Sequence, residues 1–389
     1  MKPKNRAEER RQGTRVWLRR LRVMTVKELL QFSRDIVLVL FFLYAFTLDV
    51  YLAGSGVSLS LRKAPMVVRD RDRSLSSREI VSRFRPPYFD VRAEVEDAGE
   101  AVRLLDSGEA VLFLSIPPRF EESMRKGRPT ALQLQVDTTN SVLGNLASSY
   151  SARIVGDYGL EVALDGMKIR RNLLPWVSSE VRVWYNRNQK DTWFMSIMEM
   201  LTMVTLFAIL LPAAAMVREK EKGTLEQLLV SPLNPLQILL PKILSMTVVI
   251  LAGTSLCVFG VLRPLFDVPM RGSLLLFLSL TVLFVFATAG LGLLISTIAR
   301  NLGQASLLTI LVFGPMIFLS GAWTPPEAMP APMRVLLFLS PLHHYINVSL
   351  GILLKGAGSR LLWDSLLAMA IVGGVLFGLA LWRLRRQFR

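Results

Sequence analysis

The chain has 389 residues, of which 52% are hydrophobic and 20% charged, and its formal net charge is +16. This composition excludes an ordinary soluble enzyme, because the apolar residues are gathered in long segments. Basic residues are in excess in residues 1–35 and in the tail 383–389, which both adjoin apolar segments. That placement favours attraction to anionic lipid at the cytoplasmic face over the alternative, a nucleic-acid-binding arm.

The first element is an amphipathic helix. In residues 14–34, Leu18, Leu21, Leu29 and Phe32 recur at helical spacing with arginines between them. Such a pattern predicts a helix that lies at the cytoplasmic membrane interface before the first span. The alternative is a plain cytosolic helix.

Six apolar windows predict membrane spans, since about 18–20 mostly apolar residues cross the hydrocarbon core as a helix. Apart from Asp49 near the end of the first window, we expect the spans to hold few ionisable residues and no paired carboxylates. That expectation argues against an ion-coupled carrier. The predicted spans are 36–53, 193–216, 239–262, 273–298, 305–323 and 361–382.

The charge distribution predicts the topology. An even number of spans with both basic ends in the cytoplasm leaves the long segment 54–192 outside. Within that segment strand and helix patterns alternate, as in "PMVVRD" followed by "SSREIVSRF". We therefore predict a multi-pass α-helical membrane protein of six spans with an inserted α/β extracytoplasmic domain. Its parts are a cytoplasmic helix at 1–35, a first span at 36–53, the external domain at 54–192, a five-helix membrane region at 193–382 and a basic cytoplasmic tail at 383–389.

A charged insert, "VREKEKGTLEQLLVSPLNP" at 217–235, separates the second and third spans. Thr224 and Gln227 have the spacing of a capping box and predict a short helix that begins after Gly223. Asn234 and Pro235 are a typical cap and first-turn proline for the next span. Mixed charges beside leucines suit a groove on a protein partner. The alternative is a solvated loop whose charges only stop membrane insertion.

The segment 324–356 is apolar but interrupted by prolines, so we predict an external re-entrant or capping segment. It contains His343 and His344, the only histidines. Adjacent residues of a helix point in different directions, so these two do not form a metal pair by themselves.

Several kinds of chemistry are missing from the sequence. The dipeptide Gly-Lys never occurs, so the chain has no P-loop, and no Cys/His cluster has zinc spacing. Cys257 is the single cysteine, so no intrachain disulfide forms. We predict no catalytic residue, no metal and no cofactor bound by this chain.

The stretch "MVREKEKGTLEQLLVSPLNPLQILLPKIL" resembles the coupling region of ABC-2 type transporter permeases, in particular the drug-efflux subfamily with a large external domain. The turn "DRDRS", the strands "LFLSIPPRF" and "LQLQVDTTN", the approach "RVWYNRNQKDTWF" and the segment "LSPLHHYINVSLGILLKG" resemble the same subfamily. The likeness runs along nearly the whole chain. One departure is "TTN" after Asp137, where related chains often carry Gly-Ser.

The resemblance implies a non-enzymatic subunit of the bacterial inner membrane, with both termini cytoplasmic, that exports amphipathic or apolar compounds. Its implied partners are a separate ATPase subunit that binds ATP and Mg²⁺, a second permease copy or paralogue, membrane lipids and a periplasmic adaptor, with no nucleic acid. Pro241 in the third predicted span and Pro315 in the fifth are candidate kink points, because proline interrupts the hydrogen bonding of a helix. The ATPase-coupling residues implied by position are Glu219, Lys220, Glu221, Gly223, Thr224, Leu225, Glu226 and Gln227.

Two alternatives to export stay open. A mechanotransmitter would keep the fold and use cytoplasmic ATP to act on an envelope partner without moving cargo. A membrane-embedded envelope enzyme would need polar catalytic residues at the membrane boundary, where only Asp49, His343 and His344 are available. The sequence does not identify substrate-binding residues.

Overall fold

A computed structural model describes residues 3–56, 61, 63–139, 141–166, 185–186, 188, 190–224, 234–321, 326 and 329–387 of the protein. The chain divides into two compact units. The helical unit comprises Met1–Val57 and Val183–Arg389, and the α/β unit comprises Ser58–Arg182.

The first part of the helical unit is a long helix followed by a candidate span. Asp35 separates the two elements and caps the second, since its carboxylate accepts a hydrogen bond from Leu38 N at 3.1 Å. A π-helical turn at Ala45–Asp49 interrupts the span. The helices are α1 (Pro3–Ser33), α2 (Ile36–Tyr44) and α3 (Val50–Gly56).

The α/β unit is a four-stranded sheet with helices on both faces. The strand order is β2-β1-β3-β4, with β1 parallel to both β2 and β3, and β3 antiparallel to β4. Met66 and Val68 of β1 face one core cluster, while Val67 faces the other. The predicted alternation of strands and helices is confirmed. The elements are β1 (Ala64–Asp70), α4 (Leu75–Arg83), β2 (Phe89–Glu94), α5 (Ala98–Asp106), β3 (Leu112–Ile116), α6 (Phe120–Arg125), β4 (Gln133–Val136) and α7 (Ser141–Gly166).

The "DRDRS" turn after β1 organises this unit through two carboxylates. Asp70 accepts hydrogen bonds from the backbone of Asp72 and Arg73, both at 2.9 Å. Asp72 accepts from Phe120 N and Glu121 N, both at 3.0 Å, and so binds the first turn of α6. Within the chain this motif therefore joins β1 to α6.

The second part of the helical unit is built from long apolar helices. Phe207, Phe284 and Tyr345, which are fully buried, lie at the centre of its core. The helices are α8 (Asp191–Glu221), α9 (Pro235–Cys257), α10 (Leu274–Ile298), α11 (Leu302–Phe318), α12 (Ala331–Phe338), α13 (Pro341–Leu353) and α14 (Trp363–Gln387).

Five helical segments among the described residues are long and apolar enough to cross a membrane. A sixth is obtained only if α12 and α13, which are bent by 74°, count as one broken span. The predicted span at 305–323 corresponds to α11, a shorter apolar helix. The count of six therefore stays a prediction. The five segments are Ile36–Gly56, Asp191–Glu221, Leu236–Leu262, Leu274–Ile298 and Trp363–Arg386.

Two prolines predicted to kink helices lie inside them, Pro241 in α9 and Pro315 in α11. Pro212 also lies inside a helix, α8, although it was not among the predicted kinks. Each removes one backbone hydrogen bond from its helix. The kinks themselves stay a prediction.

Candidate functional site

The charged insert begins in the last five residues of α8. Gly223 adopts φ +65°, a left-handed conformation that favours glycine, and its N–H donates to Lys220 O at 3.1 Å. Thr224 Oγ1 donates to Glu219 O at 3.2 Å. The predicted contact residues Leu225, Glu226 and Gln227, and with them the predicted capping box, lie outside the described residues. After the gap, Asn234 N donates to Gln237 Oε1 at 3.1 Å, and Pro235 begins α9 as predicted.

The last four residues of α8, Arg218–Glu221, are all charged, and each binds a different part of the helical unit. We call them the 218–221 tetrad. Arg218 pairs with Asp35, the N-cap of α2, at 2.5 Å. Glu219 pairs with lysines of α1 and α9. The tetrad therefore bonds the start of the insert to several helices at once.

Glu219 belongs to a cluster of four alternating charges, Lys27, Glu28, Glu219 and Lys242, which we call the charge cluster. Lys242 Nζ lies 2.8 Å from Glu28 Oε1 and 2.8 Å from Glu219 Oε2. Lys27 Nζ lies 2.6 Å from Glu219 Oε1 and 3.3 Å from Glu28 Oε1. Each lysine thus contacts both glutamates, and the charges of the cluster cancel.

Three of the four residues of the charge cluster are buried, so the stability of the cluster depends on each charge keeping its partner. Glu28, Glu219 and Lys242 are 2%, 3% and 1% exposed, whereas the Lys27 side chain is 47% exposed. Burial alone would lower the pKa of Lys27, but hydrogen bonds and charges from Glu219 and Glu28 outweigh that effect and raise its pKa above the ordinary value. Lys27 is therefore charged at neutral pH. Removal of one buried partner would leave an uncompensated charge.

The other two members of the tetrad bind helix ends. Lys220 Nζ donates to the carbonyl of Ser296 in the last turn of α10. Glu221 Oε1 accepts from Leu302 N, the first residue of α11, at 2.9 Å. The last carbonyls and the first N–H groups of helices lack intrahelical partners, and they carry partial charges of the signs that suit lysine and glutamate respectively.

Direct contact with an ATPase, predicted for Glu219–Gln227, stays a prediction. Glu219 is buried in the charge cluster, and the half-buried Lys220 reaches inward to Ser296. Glu221 and Gly223 are exposed. Glu219 and Lys220 therefore suit a positioning role.

Five residues of this site were not predicted from the sequence: Lys27, Glu28, Asp35, Arg218 and Lys242. One signal was present, because Lys242 is an isolated cation in the predicted span 239–262. An ionisable residue in an apolar window indicates a buried partner. The identity of that partner could not be read, since Glu28 is 214 positions away along the chain.

The expectation that the spans lack paired carboxylates is wrong. Glu199 of α8 forms a side-chain hydrogen bond with Asp49, which ends the π-helical turn. Glu199 was visible as a lone acid in the second predicted span but was not paired with Asp49.

The two histidines bind backbone and amide groups. His343 Nδ1 lies 2.9 Å from Ser320 O, and its Nε2 lies 3.1 Å from Asn347 Nδ2. His344 Nε2 lies 2.9 Å from Phe338 O in α12. These bonds fix α13 against neighbouring segments. Among the described residues no group of His, Cys, Asp and Glu could hold a metal ion.

Apolar helices of spanning length, with a charged segment bonded to several helix ends, define a multi-pass membrane protein. A family model described as "ABC-2 family transporter protein" matches residues 35–382. The chain belongs to this family of transporter permeases. Its relatives are named as transport permeases, so it is a transport subunit of the bacterial inner membrane rather than an enzyme.

Three curated Escherichia coli K12 proteins are similar over most of their length. Inner membrane transport permease YhhJ is 34% identical over 370 residues, which cover 95% of this chain and 98% of YhhJ. Probable multidrug ABC transporter permease YbhR is 30% identical over 329 residues, 84% of this chain and 87% of YbhR. Probable multidrug ABC transporter permease YbhS is 27% identical over 341 residues, 87% of this chain and 89% of YbhS.

Proposed function

We propose that this chain is the permease subunit of an ATP-driven exporter and that the insert 217–235 receives movement from a separate ATPase subunit. The observation that carries the proposal is the 218–221 tetrad. The tetrad lies at the start of the insert and binds α1, α9, the N-cap of α2, the end of α10 and the start of α11. ATP and Mg²⁺ would be bound by the ATPase subunit.

The mechanism follows from the number of bonds that the tetrad makes. The ATPase subunit would contact the part of the insert that begins at Glu221 and Gly223, which are exposed, and continues through Gln227. When the ATPase closes on ATP, a displaced insert must carry the end of α8 with it. Because each residue of the tetrad is bonded to a different element, that displacement changes the packing of several helices together. A shift between two packings of the bundle would then open the path outward.

The proposed cargo is amphipathic or apolar. A cavity of about 460 Å³ lies between α10, α11, α12 and α14, and its lining is almost wholly aliphatic. A pocket of this size and chemistry suits a drug-like or lipid-like molecule. Pro315 and Met316 of α11 line it, so movement of α11 would change its shape. The names of YbhR and YbhS, which include multidrug, support the same class.

The proposed assembly contains two permeases and two ATPases, with both permease termini in the cytoplasm and the α/β unit outside. YbhR and YbhS are paralogues of one another in one organism, which supports pairing of permeases as homodimers or heterodimers. A periplasmic adaptor is a further proposed partner of the α/β unit.

The test is ATP hydrolysis by a candidate ABC ATPase subunit from the same organism, co-purified with the native chain and with a Leu225→Asp, Glu226→Arg variant. We expect the native complex to hydrolyse ATP and the variant to lose association. The matched control is Leu75→Asp, Glu109→Arg, which makes the same two changes at exposed positions of the α/β unit. The control should associate normally. Equal association of all three chains with the ATPase would overturn the docking role of the insert.

A further inference from the structure

A groove of about 720 Å³ lies where α1, the start of α2 and the end of α8 meet. Four of its lining residues are cations, Lys27, Arg34, Arg218 and Lys222, and one is an acid, Asp35. The groove is therefore electropositive, which favours an anion.

The cations of the groove are only partly used by the chain itself. Arg218 pairs with Asp35, and Lys27 pairs with glutamates of the charge cluster. Arg34 and Lys222 are exposed, and neither is in an ion pair with another described residue. Arginine forks and lysine point charges are the usual partners of phosphate oxygens. Arg34 and Lys222 can therefore bind a phosphate without breaking the pairs around them.

One wall of the same groove is apolar. Ile36 and Val37, the first two residues of α2, are 71% and 79% exposed. Leu40, one turn further along α2, is 61% exposed. A free phosphate would use only the charged wall. A molecule that matches both walls has an anionic head and an apolar tail that follows α2.

We propose that this groove binds the headgroup of an anionic phospholipid, in the leaflet that faces the cytoplasm in the predicted topology. The phosphate would lie between Arg34 and Lys222, and one acyl chain would lie along Ile36 and Val37. Lys27 and Arg218 link the groove to the charge cluster and the tetrad, so a bound lipid would brace α1 against α8. The inference concerns lipid binding alone and does not depend on the proposed transport.

The test is lipid titration of the purified full-length permease in detergent, followed by native mass spectrometry. The probes are phosphatidylglycerol, phosphatidylcholine, water-soluble glycerol phosphate and inorganic phosphate. We expect saturable binding of phosphatidylglycerol, with no saturable binding of phosphatidylcholine and no competition from either soluble anion. Arg34→Gln with Lys222→Gln should bind phosphatidylglycerol roughly thirty-fold more weakly, from about fivefold per cation near a membrane surface.

The matched control is Arg15→Gln with Arg19→Gln, which removes the same charge from exposed positions of α1 outside the groove. It should keep the affinity within about twofold of native, as expected for surface charges that do not touch the ligand. Equal weakening in the two double variants would mean diffuse attraction and overturn the site. Competition by inorganic phosphate at the concentration of the lipid would assign the groove to a free anion and overturn the lipid. A native unfolding temperature for both variants without lipid confirms that each is folded.

Discussion

The ammonium group of Lys242 lies 2.8 Å from the carboxylate of Glu219, and both side chains are buried. These residues belong to α8 and α9, the two helices that the charged insert connects. The pair therefore joins the two ends of the insert inside the helical unit. With Lys27 and Glu28 it also joins both ends to α1.

Replacement of Lys242 tests how much the charge cluster contributes to the free energy of unfolding. Lys242→Met removes the buried one of the two cations that contact both glutamates, so it leaves an excess of buried negative charge. We expect the free energy of unfolding to fall by about 3–5 kcal/mol, as is found when one partner of a buried pair is removed. Thermal unfolding in detergent measures the effect.

A second substitution separates charge balance from packing. Lys242→Met with Glu219→Gln removes one charge of each sign, and Lys27 and Glu28 remain as a pair. This double variant should recover at least half of the loss in unfolding temperature. Lys355→Met, at an exposed position, is the control and should be near native. A double variant that is no more stable than Lys242→Met would contradict charge balance as the cause.

Gly223 sets the direction in which the insert leaves α8. Its φ of +65° is strained for residues with a Cβ, although no heavy atom lies within 4 Å of the position that a Cβ would take. The penalty is therefore conformational, on the order of 1–2 kcal/mol for an ordinary residue and less for asparagine. We expect Gly223→Val to reduce ATP hydrolysis by the complex more than Gly223→Asn. Equal activity of the two variants would show that this turn is unimportant.

Asp72 predicts an acid-sensitive contact in the α/β unit. Burial would raise its pKa, but hydrogen bonds from Ser74 and from the backbone of Glu121, Phe120 and Arg119 outweigh burial and lower it. A lowered pKa means that the contribution to stability is complete above the ordinary value of 3.8 and is lost as pH falls through the folded-state value.

Hydrogen exchange of the amides of Phe120 and Glu121 measures this contact. Their protection should be constant from neutral pH to about pH 5 and fall in more acidic solution. Asp72→Ala should remove this amide protection at neutral pH. The loss of a capping side chain lowers stability by about 1 kcal/mol. Asp90→Ala, an acid of strand β2, should leave it unchanged. Protection that survives in Asp72→Ala would contradict the assigned role.

Local sequence patterns predicted the elements of both units well. The strand of "PMVVRD" is found as β1 because alternate residues meet the two core clusters. The cap and proline at Asn234 and Pro235 start α9 where predicted, since both act on the nearest turn. Local signals suffice when the interaction lies within a few residues.

The site was only partly predictable because the residues that form its ion pairs are far apart along the chain. Lys27 and Glu219 are 192 positions apart, and no local pattern links them. From the sequence, Glu219 is expected to be solvated, yet it is buried. The positive charges that compensate it come from α1 and α9. The Asp49–Glu199 bond was missed for the same reason. Charged residues inside or next to apolar windows indicate buried partners on other helices, and this signal was not used in the prediction.

In the proposed mechanism the tetrad passes movement of the insert to the helices. Its most direct test is the distance between spin labels at Val23 on α1 and Ile298 at the end of α10, both exposed, measured with the ATPase free of nucleotide and trapped with ATP. Cys257, the single cysteine, is first replaced by serine. Glu219→Gln with Lys220→Gln is the test variant, since these residues bind α1 and α10.

We predict that ATP shifts the distance in the native complex and that the shift is lost in the variant while the ATPase stays bound. An identical shift in both complexes would contradict the claim, because the movement would then reach α1 and α10 without the tetrad.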